Sequence, residues 1–151
     1  MTQRLDHLAL APQGLHALGG VYQYLAQSGL SKPLLDLIYL RASQINGCAY
    51  CIATHSKDLL ATGVAASKLL LLSAWREAGP TFTPEERAAL RWTEALTLVA
   101  KTHAPDDDFA AVSAWYTPKQ VIDLTIAVGL INAYNRLSIG MRHSPDEDSR
   151  L

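Results

Sequence analysis

The stretch LLDLIYLRASQINGCAYCIATHSKDL, residues 34 to 59, predicts two helices joined by a tight break. Every residue from 34 to 40 except Asp36 is apolar, which is typical of a helix buried in the middle of a fold. The pair Asn46-Gly47 then breaks the helix, and a second helix begins near Cys48. We therefore expect a central apolar helix followed at once by a helix that carries both cysteines.

The rest of the chain reads as further helices separated by short breaks, without a convincing alternating pattern of strands. Thr83 and Thr117 each precede a proline and, three residues on, Glu86 or Gln120, a pattern that caps and begins a helix. Ser31 and Ser67 are expected to cap two other helices. Helices are predicted at about Leu15–Gln27, Lys32–Gln44, Cys48–Gly63, Lys68–Ala78, Pro84–Thr102, Asp107–Trp115 and Pro118–Met141. The predicted fold class is all-α, a compact bundle of about seven helices, with an irregular or weakly helical arm before residue 13 and a frayed tail from Ser144.

Length and composition predict one domain over residues 1–151. Hydrophobic residues make up 49% of the chain and charged residues 18%, against about 25% charged in an average soluble protein. We expect part of such a surface to face another subunit. The net charge of -1 argues against nucleic acid and anionic membranes as partners, since both require clustered Lys and Arg.

The N-terminal residues MTQRLDHLALAPQ contain Arg4, Asp6 and His7, which interrupt any apolar run, so no secretory signal peptide is predicted. No stretch approaches the ~18 apolar residues that span a bilayer. We therefore expect a cytoplasmic protein. Thiols are normally reduced in that compartment, so a close cysteine pair is expected to be catalytic or metal-binding rather than a structural disulfide.

Cys48, Cys51 and His55 are spaced three and four residues apart, so on a helix they lie on one face. The helix N-terminus expected at Cys48 favours an anion, and such an end or an adjacent imidazole can lower the pKa of a cysteine from about 8.5 into the range of about 3.5 to 7.5. The spacing is therefore typical of a redox pair in which one thiol attacks and the other resolves.

Other interpretations of the cluster remain open at this point. A structural zinc ion takes four ligands, and the cluster offers three. A purely structural disulfide would close a very small loop and gain little chain entropy. Two buried, inert cysteines beside a hydrogen-bonded histidine are also possible. Asp36 has two interpretations of equal weight. It is either a desolvated carboxyl group that accepts or relays a proton, or an aspartate on a narrow solvent-exposed stripe of its helix.

Residues 34–59 resemble the alkylhydroperoxidase D family within the carboxymuconolactone decarboxylase superfamily. That family's signature is a glutamate, a Cys-x-x-Cys pair twelve residues later, and a histidine four residues after the second cysteine. Cys48, Cys51 and His55 match it here. A second patch, INAYNRLSIGMR at residues 131–142, resembles the family's late helix, with its Asn-x-aromatic-Asn-Arg element at residues 132–136.

This chain departs from the family pattern at two positions. Asp36 stands where the family has glutamate, which keeps the carboxylate but shortens its reach by a methylene, so a relay to His55 would be retuned or bridged by water. Tyr50 stands between the cysteines where well-studied members have histidine. Its phenol could form a hydrogen bond or simply pack.

The resemblance implies a peroxidase that reduces alkyl hydroperoxides or hydrogen peroxide through a Cys48–Cys51 disulfide, without a cofactor or a metal. By analogy with the family, Cys51 is the attacking thiol, paired with His55, and Cys48 is the resolving thiol. Asp36 supports the proton relay. The helix dipole would favour Cys48 as the attacking thiolate, so physical arguments alone leave the order of the two cysteines open. An external dithiol or protein reductant would complete the cycle, and a homo-oligomer, a trimer or hexamer, is expected. Two alternatives are a lyase of the carboxymuconolactone decarboxylase type, whose chemistry does not require the cysteines, and a non-catalytic redox-responsive oligomer.

Overall fold

The structure, a computed structural model, describes residues 2–145. These residues form nine α-helices and two short 3-10 helices, with no β-strand among them. The α-helices are α1 (His7–Leu10), α2 (Pro12–Ala26), α3 (Lys32–Asn46), α4 (Ala49–Ala61), α5 (Ala66–Leu71), α6 (Pro84–Thr97), α7 (Val99–Thr102), α8 (Asp106–Ser113) and α9 (Pro118–Met141). The predicted all-α bundle is confirmed, and α1 and α7, of four residues each, account for the difference from about seven helices.

The apolar helix α3 lies at the centre of the fold, as predicted. It packs against α4, α6 and α9, and all residues from Leu35 to Leu40 are buried. The Ser31 hydroxyl accepts a hydrogen bond from the backbone N–H of Leu34, so the predicted cap is present. Gly47 ends the helix with φ of 73°, a left-handed conformation that glycine adopts without steric cost.

The longest helix, α9, has the predicted bounds. Thr117 and Gln120 form a complete capping box at its start, and Thr83 and Glu86 form another at the start of α6. Both starts are therefore determined by local sequence. Of the residues that the structure describes, no helix is long and apolar enough to cross a membrane.

The helix predicted from Lys68 to Ala78, capped by Ser67, is wrong in both respects. Helix α5 begins before Ser67 without a side-chain cap, and after Leu71 the chain continues as 3-10 helix and turns. The Arg87 guanidinium donates hydrogen bonds to the backbone carbonyls of Trp75 and Gly79 in this segment. The Arg87 side chain thus satisfies backbone carbonyls at the end of this segment, and no local pattern of residues predicts that contact.

The helix predicted to run from Pro84 to Thr102 is interrupted at Leu98. The Thr102 hydroxyl donates a hydrogen bond to the Ala95 carbonyl at 2.6 Å and so stabilises the bend. The sequence does not predict this break, because the residues around it all have acceptable helix propensity.

The arm before residue 13 is more ordered than expected. Asp6 caps α1 by accepting hydrogen bonds from two backbone N–H groups, and α2 begins at Pro12. The backbone N–H of Arg4 donates to the Met141 carbonyl at 2.9 Å, which ties the arm to the end of α9. The predicted fraying of the tail concerns mainly residues 146–151, which lie outside the described residues.

Candidate active site

The two cysteines lie at the N-terminus of α4 and are joined in a disulfide. Cys48 is the N-cap residue, and its Sγ accepts a hydrogen bond from the backbone N–H of Cys51 at 3.4 Å. The predicted helix start is correct to within one residue. Because N–H groups at a helix start favour negative charge, this position stabilises a thiolate on Cys48 whenever the disulfide is reduced.

Cys51 lines a cavity of about 290 Å³, whereas Cys48 does not. Most of the cavity wall is apolar or aromatic, and its polar groups include those of Cys51, Thr54, His55, Asp58 and Ser138. The Ser138 hydroxyl oxygen, on α9, lies 3.8 Å from Cys51 Sγ. Of the two sulfurs, that of Cys51 is therefore the one that a molecule in the cavity meets.

His55 lies one helical turn after Cys51 and lines the same cavity. Its Nδ1 atom lies 3.5 Å from Asp36 Oδ1, and neither atom has a hydrogen-bond partner among residues 2–145. Asp36 Oδ2 accepts a hydrogen bond from the Lys32 ammonium at 2.5 Å. With 1% of its surface exposed, Asp36 is buried, so the interpretation that it lies on a solvent-exposed stripe of its helix is wrong.

Among residues 2–145, one set of metal-ligating side chains comes together. Donor atoms of Asp36, His55 and Asp58 lie within 4.8 Å of one another. The Lys32 ammonium already lies against Asp36 and 3.8 Å from Asp58, so the carboxylates have a cation beside them that a metal ion would have to displace. Three protein donors also fall short of the four of a structural zinc site.

Tyr50 packs against His143, a residue to which no sequence pattern assigns a role. Its ring meets that of His143 edge to face, with centroids 4.3 Å apart, and His143 in turn meets His7 at 5.4 Å. All three residues line the cavity. Of the two roles left open for Tyr50, packing is the one that the structure shows.

The break before Cys48 is attached to α9 by a network of amide side chains. The Asn46 amide donates to the Oδ1 atoms of Asn132 and Asn135 at 3.0 and 2.8 Å. The Asn135 amide donates to the Ser43 hydroxyl at 2.9 Å, inside the core. The two sequence patches on which the resemblance rests are therefore in direct contact, and their asparagines hold the start of α4 in place.

Several residues of the site are not predicted from the sequence as site residues. Tyr39, Tyr134, Ser138 and His143 all line the cavity with Cys51. Tyr39 carried a detectable signal, since it lies three residues after Asp36 and so on the same face of α3. The others come from α9 and the segment after it, and only the packing of α9 brings them to Cys51.

Residues 12–95, more than half of the chain, match the model of the carboxymuconolactone decarboxylase family. This protein belongs to that family. Over 141 residues it is 36% identical to the uncharacterized protein YdfG of Bacillus subtilis, covering 93% of this chain and 95% of that protein. The expected family relationship is thereby confirmed.

Two solved structures share the fold of this chain. A protein of unknown function from Agrobacterium tumefaciens, ATU0492, described as a putative antioxidant defence protein AhpD, superposes with a TM-score of 0.92 at 36% identity, covering 96% of this chain and 99% of that one. The debrominase Bmp8 superposes with a TM-score of 0.82 at 20% identity, covering 94% of this chain and 76% of that one. The second likeness shows only that the helical arrangement is the same.

Proposed function

We propose that this protein is a thiol-dependent peroxidase that reduces organic hydroperoxides or hydrogen peroxide through a cycle of the Cys48–Cys51 disulfide. The observation that carries the proposal is the position of Cys51, which is bonded to Cys48 and at the same time lines a cavity shared with His55. A redox pair with one sulfur facing a cavity and the other buried behind it suits attack by the first and resolution by the second.

In the proposed cycle His55 takes the proton of the Cys51 thiol, and Asp36 stabilises the resulting imidazolium. The thiolate attacks the terminal peroxide oxygen, the O–O bond breaks, and the leaving oxygen is protonated to an alcohol or water. The sulfenic acid on Cys51 then condenses with the Cys48 thiol, which releases water and forms the disulfide. An external dithiol or protein reductant returns the pair to its reduced state.

ATU0492, which is 36% identical to this chain, is described as a putative antioxidant defence protein, and that description supports a peroxidase activity here. Exposed apolar side chains, among them Leu70 at 82% and Ile122 at 59%, support the further proposal of a homo-oligomer, a trimer or hexamer. A cytoplasmic location, where dithiol reductants are available, suits the cycle.

The test uses the purified, reduced protein with cumene hydroperoxide and a dithiol reductant. We expect catalytic loss of peroxide, abolished in Cys51→Ser, while Cys48→Ser should still consume one equivalent and leave a sulfenic acid on Cys51 that dimedone traps. Undiminished turnover in both single-cysteine variants would overturn the proposal. Decarboxylation of a carboxymuconolactone by the variant lacking both cysteines would assign the lyase reaction instead.

A further inference from the structure

The hydroxyl of Tyr39 is a buried polar group without a hydrogen-bond partner. Tyr39 is 2% exposed, and its Oη finds no partner among residues 2–145. A buried donor left unpaired costs about 1 to 3 kcal/mol. A phenylalanine would fill the same space without that cost, so the hydroxyl calls for an explanation outside the packing of the core.

Tyr39 lies at the wall of the cavity that contains Cys51. Its ring centroid is 5.0 Å from that of His55 and 6.0 Å from that of Tyr22, and all three side chains line the cavity with the sulfur. The orphaned hydroxyl therefore belongs to the same small region as the two orphaned atoms of Asp36 and His55. Asp36 Oδ1 and His55 Nδ1 lie 3.5 Å apart, at ion-pair distance, whereas the Tyr39 hydroxyl has no partner, so a polar ligand bound in the cavity would satisfy it.

The Tyr39 phenol remains an O–H donor at neutral pH. Burial, followed by the nearby charges of Tyr22 and Asp36, raises its pKa well above the ordinary value for tyrosine. A neutral phenol offers a donor without bringing a charge into the cavity. Such a donor suits an oxygen atom that gains negative charge as a bond breaks.

The volume and lining of the cavity set the kind of molecule that can bind there. At about 290 Å³ the cavity is at the lower end of small-molecule sites, which run from about 300 to 1,000 Å³. Leu15, Leu130 and Ile131 contribute to its apolar wall. A compact organic molecule with an oxygen directed towards Cys51 and Tyr39 matches this arrangement.

We propose that Tyr39 is a substrate-contacting residue, whose phenol donates a hydrogen bond to the leaving oxygen of an organic hydroperoxide bound against Cys51. The inference rests on the proposed peroxidase function. As the Cys51 sulfur forms a bond to the terminal oxygen, the O–O bond breaks and its electron pair stays on the oxygen attached to carbon. The Tyr39 hydroxyl stabilises that oxygen, which receives the proton that His55 took from the Cys51 thiol, so the products are the alcohol and Cys51 sulfenic acid.

The first measurement is the rate constant for oxidation of the reduced protein by cumene hydroperoxide, in wild type, Tyr39→Phe and Tyr116→Phe. Tyr116 is the matched control, because its hydroxyl donates to the Glu85 carbonyl and it does not line the cavity. Loss of one hydrogen bond in the transition state should lower the rate constant about tenfold in Tyr39→Phe, with a change below about twofold in Tyr116→Phe.

The second measurement separates contact from a structural role and does not require turnover. The oxidised protein, which cannot react, is titrated with the product alcohol, 2-phenylpropan-2-ol. We expect binding to weaken several-fold in Tyr39→Phe only, with a melting temperature equal to or above that of wild type, because the hydroxyl has no partner to lose. Wild-type rate and alcohol binding in Tyr39→Phe would overturn the inference, as would a lowered melting temperature with unchanged alcohol binding. If wild type itself fails to react with cumene hydroperoxide, the peroxidase proposal fails, whereas the alcohol titration still decides whether Tyr39 contacts a ligand.

Discussion

Asp36 Oδ1 lies 3.5 Å from His55 Nδ1, across the interface between α3 and α4. The contact joins a carboxylate on the central helix to the imidazole one turn after Cys51. Because Asp36 is buried, its interaction with His55 is weakly screened by solvent and salt. The position of the aspartate, one methylene shorter than the family's glutamate, leaves the pair within direct reach of each other.

Asp36→Asn should lower the rate of Cys51 oxidation by cumene hydroperoxide about tenfold at pH 7, because it removes the charge that stabilises the imidazolium on His55, and about 1.4 kcal/mol of transition-state stabilisation corresponds to a factor of ten. The rate is measured by stopped-flow on the reduced protein. Asp123→Asn is a matched control, since Asp123 is also buried and pairs with a lysine four residues earlier, Lys119, at 2.6 Å. Equal rates in Asp36→Asn and wild type would remove Asp36 from the proposed relay.

Asn46→Ala should destabilise the protein by about 2 kcal/mol, because it leaves the buried side-chain oxygen of Asn135, Oδ1, without its donor. Urea unfolding followed by circular dichroism measures the free energy. Gln23→Ala, at an exposed position of α2, should change it by less than about 0.5 kcal/mol. If the two variants unfold alike, the asparagine network does not hold the start of α4.

Glu94 should make the stability depend on pH. Burial alone would raise its pKa, but hydrogen bonds from Arg76, Trp75 and Arg41 together hold the pKa below the ordinary value. A carboxylate whose pKa is depressed in the folded state stabilises it fully above the unfolded pKa, near 4.3, and the contribution disappears as pH falls through the folded pKa. Glu94→Gln should therefore cost about 2 kcal/mol at pH 7 and progressively less below about pH 4.

The measurement for Glu94 is urea unfolding of wild type and Glu94→Gln at a series of pH values. Glu85→Gln, at an exposed position in the first turn of α6, serves as the control and should show a much smaller difference at pH 7. A gap between wild type and Glu94→Gln that stays constant down to pH 3 would contradict the expectation.

Reduction of the disulfide should leave the protein folded. The bridge between Cys48 and Cys51 has a sequence separation of 3, and a loop of this size contributes at most about 2 kcal/mol of chain entropy. The melting temperature should fall by only several degrees on addition of a phosphine reductant. The double variant Cys48→Ser/Cys51→Ser should not respond to the reductant. Loss of cooperative unfolding in the reduced wild-type protein would show instead that the fold requires the disulfide.

Local sequence accounts for most of the helices and for the core of the candidate site. Ser31, Thr83 and Thr117 cap helices where their side chains predict, since a cap depends only on residues within one turn. The helix predicted after residue 67 fails where a side chain from the next helix intervenes. Arg87 donates hydrogen bonds to backbone carbonyls in the segment after α5, and the spacing of neighbouring residues does not predict a contact between two separate elements.

The sequence by itself determined the helical class, the central helix α3, and the closeness of Cys48, Cys51 and His55, because apolar periodicity and helical spacing act over a few residues. Only the tertiary structure decided which sulfur faces a cavity, that Asp36 is buried against His55, and that Tyr39 carries an unpaired hydroxyl beside them. Those features arise where α3, α4 and α9 pack together. Burial and pairing of a polar atom depend on residues far away in the chain, so they follow from packing and not from local sequence.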